Sequence, residues 1–265
     1  MKFFLRGASD SPVSGSFVKD AGVSLRAVNL SYPTPDGQVD ILRDVTVDFF
    51  ARSTAILGLN GSGKSSLLKL VNGINTVRSG SVQVGGLEVQ EHTARVRSHV
   101  GLLFSNPLTQ LIMPTAVEDV ELSLQRTGLS RERRRATALE LLSTRGVGHR
   151  AEHSIYDLSG GEQQLVALTS VLAVEPEILL LDEPTTLLDL RNKLRLYALL
   201  ETLPQQLIIS THDLDLAARC ERAVVIHNGR VYAEGASRSV IAQYENWCAR
   251  EFPTQSPLAS DQGVA

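Results

Sequence analysis

A glycine-rich loop at residues 58–66 constrains the fold of this chain more than any other stretch of its sequence. It matches the phosphate-binding pattern of a glycine, four residues, then Gly-Lys-Ser. Its residues are Gly58, Leu59, Asn60, Gly61, Ser62, Gly63, Lys64, Ser65 and Ser66. The glycines allow positive φ, so that backbone N–H groups can turn inward around anionic oxygens. The pattern also predicts that Lys64 reaches the β- and γ-phosphates and that the Ser65 hydroxyl ligates Mg²⁺.

The residues on either side of the loop predict a strand before it and a helix after it. Residues 54–57 are apolar and indicate a buried strand, and residues 65–71 have the pattern of a helix. The positive end of that helix dipole then faces the phosphates. A glycine- and serine-rich turn is the alternative, but it does not require this context. We therefore expect the chain to bind a nucleoside triphosphate.

The composition limits the classes of protein to which the loop can belong. The chain has 265 residues, enough for one α/β domain or two small ones, and its formal net charge is −3. A general nucleic-acid-binding protein is usually basic, so we expect no nucleic-acid partner. No apolar run approaches the roughly 18–20 residues of a membrane span. The N-terminal apolar residues are too few for a signal peptide, so we expect a cytoplasmic protein. Cys220 and Cys248 fit no metal-ligand spacing, and we expect them to be reduced thiols.

Alternating hydrophobicity predicts an antiparallel β layer beside the loop. Residues 23–28 and 45–49 indicate half-buried strands, separated by a turn at residues 33–37. Residues 81–89 indicate a further hairpin. Tyr32 follows the first strand and precedes the turn, so its ring is a candidate for stacking on a base. Packing within the domain is the alternative for this residue.

Three helices are predicted after this layer. The first, from residue 117, has an apolar face opposite an acidic one that includes Asp119, and the second spans residues 130–143. Four arginines of the second helix indicate a solvated face, with an acidic partner or lipid headgroups as the alternative. The third helix begins at Gly160.

The start of the third helix is unusual because it contains two glycines. Ser159 and Glu162 have the spacing of a capping box. Gly160 and Gly161 cost about 1 kcal/mol each relative to alanine inside a helix. Close approach of a ligand to the backbone would explain that cost, and a phosphate is the ligand that a helix N-terminus favours. A simple helix cap is the alternative.

Polar side chains follow two further buried strands. Residues 178–181 predict a central strand that leads into Asp182 and Glu183, and residues 207–210 predict another that leads to His212. Ligands of parallel sheets bind at the carboxyl ends of the strands. We expect Asp182 to hold Mg²⁺ through water, Glu183 to act as general base toward water, and His212 to hydrogen-bond the γ-phosphate. The sequence at Asn228-Gly229 predicts a later hairpin with a type I′ turn.

In order along the chain, these motifs resemble the ATP-binding cassette (ABC) ATPase family. The series is the glycine loop, Leu-Ser-Gly-Gly at residues 158–161, the buried run ending in Asp-Glu, and the strand followed by His212. The resemblance covers about residues 23–240. It implies an α/β fold with a P-loop NTPase core, a mostly parallel central sheet, an antiparallel β subdomain and an α-helical subdomain that carries the signature.

The resemblance also implies a head-to-tail dimer, either a homodimer or a heterodimer of related ATPases. Two ATP molecules would lie between the glycine loop of one subunit and the signature of the other. The signature residues are Ser159, Gly160, Gly161 and Glu162. Tyr32 becomes an adenine-stacking residue and Asp189 part of an inter-subunit loop.

A finer resemblance concerns the segment just before the helix that is predicted from residue 117. Residues 104–111, with 118–120 after them, resemble the ATPases of energy-coupling-factor importers, and residues 185–192 resemble the ATPase of the biotin system. These importers contain a transmembrane scaffold protein and a small substrate-capturing membrane protein, so the chain would lie on the inner face of the cell membrane. The alternatives are a cobalt or nickel importer, another ABC transporter, and a soluble cassette protein.

The chain departs from the family pattern at two places. Ser105 stands where the family usually has a glutamine that touches Mg²⁺ and the membrane partner, and Gln110 lies too far along the chain to replace it. Ser105 keeps an oxygen but is shorter, so a water would have to bridge it to the metal. The loop after Asp-Glu carries bulky Leu187 and Leu188.

The predicted domain organisation is simple. Residues 1–20 form a flexible N-terminal extension, residues 21–252 form one ATPase domain with a helical subdomain at about 108–172, and residues 253–265 form a disordered tail.

Overall fold

Two β-sheets and a set of helices form the fold, which is taken from a computed structural model that describes residues 16–35 and 37–258. The strands of these ranges are β1 (Val23–Thr34), β2 (Gly37–Phe49), β3 (Ser53–Leu57), β4 (Ser79–Val84), β5 (Leu87–Glu88), β6 (Val100–Leu103), β7 (Ile178–Asp182), β8 (Gln206–Ser210), β9 (Arg222–His227) and β10 (Arg230–Ala236). The α-helices are α1 (Lys64–Val71), α2 (Thr93–His99), α3 (Ala116–Ser123), α4 (Arg131–Thr144), α5 (Gly160–Leu172), α6 (Leu190–Thr202), α7 (Leu214–Ala218) and α8 (Ser237–Ala249).

The larger sheet is mostly parallel and positions the functional loops. Its order is β10-β9-β3-β8-β7-β6, and only β10 runs antiparallel to its neighbour. Strands β3, β8 and β7 are adjacent, so the residues that follow them meet at one edge of the sheet. The other sheet is antiparallel, with the order β2-β1-β4-β5. Both sheets confirm the predicted fold class.

The two faces of the larger sheet belong to two separate hydrophobic clusters. Along β7, Leu179 and Leu181 join the cluster that contains the helical subdomain, whereas Leu180 joins the cluster under the antiparallel sheet. All three side chains are fully buried. The continuous apolar run predicted a strand buried on both faces, and this prediction is confirmed.

The helical subdomain contains α3, α4 and α5, and one prediction about it is wrong. The sequence predicts Asp119 on an acidic face opposite the apolar one, but its side chain is buried, with 4% exposed. Its carboxylate accepts hydrogen bonds from the backbone N–H groups of Ile112 and Met113 and from the hydroxyl of Ser170. These three donors satisfy a charge that burial would otherwise make costly.

The position of Tyr32 also differs from its prediction. Tyr32 lies inside β1 and pairs with Val39 of β2, because β1 continues to Thr34 before the chain turns. The second predicted turn is confirmed. Asn228 and Gly229 have φ of 48° and 75°, and two successive positive φ values are the mark of a type I′ turn.

The predicted terminal boundaries need correction where the structure describes them. The ring of Phe17 stacks on His99 at 4.0 Å, so the packed domain begins before residue 21. Phe252 stacks on His227 at 3.9 Å, and the buried Ser256 hydroxyl donates to the Val231 carbonyl. The rest of the predicted extension and tail, residues 1–15 and 259–265, lies outside the described residues.

Candidate active site

The glycine loop connects β3 to α1 and depends on glycine at defined positions. Gly58, Gly61 and Gly63 have φ of 150°, 77° and 109°. A Cβ on Gly58 would lie 2.1 Å from the Ile226 carbonyl oxygen, and one on Gly63 would lie 2.7 Å from Leu42 Cδ2. The backbone conformation and the contacts with Ile226 and Leu42 therefore exclude larger residues at both positions.

Lys64 is the first residue of α1, and its side chain folds back over the loop. It is 6% exposed, and its Nζ donates to the carbonyl oxygens of Gly58 at 2.8 Å and Leu59 at 3.2 Å. Burial lowers the pKa of Lys64, while the carboxylates of Glu183 and Asp182 act in the opposite direction. An anion at this loop would favour the charged ammonium still further.

Asp182 brings the end of β7 into contact with the glycine loop. Its side chain is 4% exposed, and its Oδ1 accepts hydrogen bonds from the hydroxyls of Ser65, at 2.9 Å, and Ser210. A carboxylate and a hydroxyl are hard oxygen ligands, the type that Mg²⁺ takes in nucleotide sites. The residues present therefore fit a magnesium ion.

Glu183 and His212 face each other across the ends of β7 and β8. His212 Nε2 lies 3.1 Å from Glu183 Oε1, and the His212 backbone N–H donates to Glu183 Oε2 at 3.2 Å. His212 Nε2 is also 3.3 Å from Lys64 Nζ. The backbone at Glu183 has φ of 49°, in the left-handed region. A carboxylate, an imidazole and an ammonium thus meet at one point of the sheet edge.

These groups open into one cavity of about 460 Å³. Its lining contains most of the residues predicted to bind the triphosphate, together with two that the sequence reasoning missed, Ile41 and Thr186. The lining residues are Ile41, Asn60, Gly61, Ser62, Gly63, Lys64, Ser65, Ser66, Ser105, Glu183, Thr186 and His212. Tyr32 does not line this cavity and is 38% exposed. Thr186 could have been identified from the sequence, because it lies only three residues beyond Glu183 in the loop after the Asp-Glu pair. No local sequence pattern marks Ile41.

Ser105 and Gln110 occupy different environments. Ser105 lines the cavity, as its position in the sequence predicts. Gln110 is turned back onto its own loop, where its Oε1 accepts a hydrogen bond from the Phe104 N–H at 3.1 Å. The Gln110 side chain therefore supports the loop, whereas Ser105 is the residue of the two that lines the cavity.

The start of α5 has the predicted capping box. Ser159 Oγ accepts from the Glu162 N–H, and Glu162 Oε2 accepts from the Ser159 N–H at 2.8 Å. Burial acts to raise the pKa of Glu162, but the hydrogen bonds from Ser159 and Arg150 and the charge of Arg150 outweigh it and hold the pKa at about 2. The carboxylate therefore remains ionised and fixes the first turn.

The two glycines of this turn are not required by the packing of the chain itself. A Cβ on Gly160 would lie 3.5 Å from Leu187 Cβ, and one on Gly161 would lie 3.5 Å from the Leu187 carbonyl oxygen. Both are ordinary van der Waals distances, and neither glycine has a positive φ. The signature residues also do not line the cavity at the glycine loop. The packing of the described residues thus leaves the two glycines without a structural reason.

Asp189 has a structural role within the chain. It is the N-cap of α6, and its Oδ1 accepts a hydrogen bond from the Asn192 N–H at 2.8 Å. Its predicted place in an inter-subunit loop stays a prediction.

The fold and the site together define a nucleotide-binding protein of the P-loop class. A parallel strand leads into a glycine loop, and the buried Lys64 side chain hydrogen-bonds the backbone of that loop. Asp182, at the end of another strand of the same sheet, accepts a hydrogen bond from Ser65 of the loop. The model of the ABC transporter family matches residues 42–186. The chain belongs to this family.

Two curated relatives cover most of the chain. The biotin transport ATP-binding protein BioM of Rhizobium etli is 38% identical over 208 residues, which are 78% of this chain and 92% of that protein. The energy-coupling factor transporter ATP-binding protein EcfA1 of Levilactobacillus brevis is 35% identical over 80% of this chain and 78% of its own length. Other relatives are named only as putative ABC transporter ATP-binding proteins.

Two solved structures have the same fold. The ATP-binding cassette MJ0796, a dimer in a post-hydrolysis state with ADP and Pi, has a TM-score of 0.76 at 30% identity and covers 82% of this chain and 99% of its own. The cbiO1 protein of Clostridium perfringens, part of the cbiONQ transporter complex, has a TM-score of 0.72 at 28% identity and covers 87% and 96%. The chain is therefore an ATPase subunit of a transporter, and it couples ATP hydrolysis to transport. Among the residues that the structure describes, no helix has the length and apolar character of a membrane span.

Proposed function

We propose that this chain is the ATPase subunit of an energy-coupling-factor importer that takes up a vitamin, with biotin as the first candidate. The observation that carries this proposal is the likeness to BioM and EcfA1 over more than three quarters of the chain. The loop at residues 104–111 supports it, because the sequence there resembles the same group of importers.

In the proposed mechanism, ATP lies on the glycine loop with its phosphates against Lys64. Glu183 orients a water molecule and accepts its proton during attack on the γ-phosphate, and His212 donates a hydrogen bond to that phosphate. Ser65 and Asp182 would hold Mg²⁺, with Ser105 near it through a water. When bound, the ion would neutralise charge on the β- and γ-phosphates.

The second half of each site would come from another subunit. The signature at the start of α5 contains two glycines, and packing within the chain does not explain why they are glycines. A helix N-terminus also favours phosphate. We infer that the signature residues contact the ATP held by the glycine loop of a partner in a head-to-tail dimer. Asp189 would then lie at the subunit boundary, and Tyr32 would stack on adenine.

If the site is shared, ATP turnover should depend on protein concentration. The hydrolysis rate per subunit is expected to fall when the protein is diluted into the range in which sedimentation shows monomers, because the signature then leaves the site. ATP binding at the glycine loop should persist, since Lys64 and the loop N–H groups belong to one chain. A rate per subunit that stays constant through the monomer range would contradict the shared site.

The membrane partner has a candidate contact surface on the helical subdomain. A groove of about 440 Å³ is lined by Gln110, Ile112, Leu122 and Val174, among others. Ile112 is 77% exposed there. We infer that a cytoplasmic helix of a transmembrane scaffold protein docks in this groove, which would place the chain on the inner face of the cell membrane. ATP binding would close the dimer of ATPase subunits and hydrolysis would open it. Residues 105–124 would transmit this movement to the scaffold protein.

A cobalt or nickel importer is a second candidate. This alternative follows from the segment at residues 104–111, because the energy-coupling-factor ATPases that it resembles serve metal importers as well as vitamin importers. BioM, at 38% identity, is named for biotin transport, so we place the vitamin importer first.

Purification of the tagged chain from membranes of its own cell tests the proposal. Two membrane proteins are expected to co-purify, and the bound small molecule, identified by mass spectrometry after release, is expected to be biotin. Cobalt or nickel in its place would support the second candidate. Co-purification with ribosomal proteins, in the absence of any membrane protein, would exclude both importers.

A further inference from the structure

A second cavity of about 430 Å³ lies far along the chain from the glycine loop, where the helical subdomain meets α6. Its lining includes Arg145, just after α4, and Arg195, on α6. It shares no lining residue with the cavity that contains Lys64 and Glu183. The proposed nucleotide site therefore does not account for it.

The two arginines of this cavity have no partner among the residues that the structure describes. Arg145 Nε is buried and makes no hydrogen bond, and neither guanidinium belongs to an ion pair in the described ranges. Arg195 lies beside Gly146, with its Nη1 3.9 Å from the position of a Cβ on that glycine. Two unpaired cations thus adjoin one cavity within this part of the fold.

Such an arrangement is unfavourable without an anion. A buried donor that lacks an acceptor loses its hydration without compensation. Burial lowers the pKa of Arg145, with no carboxylate acting in the opposite direction. The C-terminal dipole of α4 supplies a partial negative charge, but it leaves Arg145 Nε without an acceptor.

Three leucines form the apolar part of the lining, and Ser143, Thr144 and Gly146 complete it. The leucines are Leu165 of α5 and Leu196 and Leu199 of α6. A volume of this size falls in the range of small-molecule sites, which combine apolar walls with a few polar anchors. Guanidinium groups bind carboxylates and phosphates through paired hydrogen bonds. We propose that this cavity binds a small organic anion whose apolar body packs on the three leucines and whose charged group pairs with Arg145 and Arg195.

The position of the cavity relates it to two elements of the proposed subunit boundary, the signature and the loop that contains Asp189. Leu165 lies five residues after Gly160, on the helix that begins at the signature, and Arg195 lies six residues after Asp189 on α6. A ligand here would contact both helices at once. The binding site itself does not depend on the proposed function, because it is argued from this chain's own charges and packing.

Calorimetric titration of the purified protein with four probes tests the proposal. The two probes that form micelles are kept below their micellar concentrations. Octanoate and octyl phosphate carry both an anionic group and an apolar body, whereas acetate lacks the body and 1-octanol lacks the charge. We expect at least one of the first two to bind with one-to-one stoichiometry and a Kd below about 1 mM. Acetate and octanol should bind at least tenfold more weakly.

Three variants assign the binding to this cavity. R145Q and R195Q should each weaken binding of the anionic probe at least tenfold, about the effect of losing a charged hydrogen bond. R131Q removes the same charge from an exposed position at the start of α4 and should leave binding unchanged. Arg195 is exposed, so R195Q is expected to fold, and a thermal melt verifies this.

Three results would overturn the proposal. The first is that neither anionic probe binds saturably to the wild-type protein. The second is equal binding of octanoate and octanol, which would indicate apolar adsorption alone. The third is a folded R195Q variant that binds the anionic probe as tightly as the wild type does.

Discussion

Replacement of Glu183 by glutamine is expected to lower the rate of ATP hydrolysis by roughly 10²–10⁴-fold, the usual contribution of a general base. The glutamine amide cannot accept a proton from water, but it has nearly the same shape. ATP binding should therefore persist, because the Lys64 ammonium and the loop N–H groups are unchanged. Steady-state phosphate release and nucleotide binding by filter retention measure the two effects separately.

Glu175 offers a matched control for this variant. It is also a glutamate in the left-handed region, with φ of 48°, but it is exposed and does not line the cavity. E175Q removes the same charge from a backbone of the same conformation, so its turnover should equal that of the wild type. Undiminished turnover in E183Q would refute the assignment of Glu183 as the base.

Replacement of Lys64 by alanine is expected to weaken ATP binding at least about tenfold, since a charged hydrogen bond contributes roughly 1.5–3 kcal/mol. The hydrolysis rate should fall together with the affinity, because the Lys64 ammonium is also 3.3 Å from His212 Nε2 and interacts electrostatically with the Glu183 carboxylate. A fluorescent ATP analogue in equilibrium titration gives the change in affinity directly.

The stability of K64A must be measured beside its affinity. Loss of the ammonium leaves the carbonyl oxygens of Gly58 and Leu59 without this donor, so the melting temperature should also fall. K69A removes the same charge from the last turn of α1 and should bind ATP as the wild type does. Wild-type affinity in a folded K64A protein would show that the loop is not a phosphate site.

Local patterns predicted much of the fold and part of the site. The loop at 58–66, the strand through Leu180 and the capping box at Ser159 each depend on residues close together in sequence. Their geometry is largely decided by glycine, by continuous hydrophobicity and by capping side chains. Such features can be recognised before the long-range packing is known.

Other features depended on partners far along the chain. Asp119 is buried because Ser170, 51 residues later, and two backbone N–H groups satisfy its charge. Ser210 contacts Asp182 because their strands pair in that register. Ile41 reaches the nucleotide cavity from the antiparallel sheet. No local pattern in the sequence specifies these approaches, so only the folded structure reveals them.

The backbone at Glu183 lies where a β-carbon is unfavourable by about 1–2 kcal/mol, and glycine is the residue that such a conformation favours. A glycine there would relax the main chain but would remove the carboxylate that faces His212. Stability and the proposed catalytic role of Glu183 therefore place opposite demands on the residue at this position. In the proposed mechanism, the strained backbone is the cost of holding the base at the sheet edge.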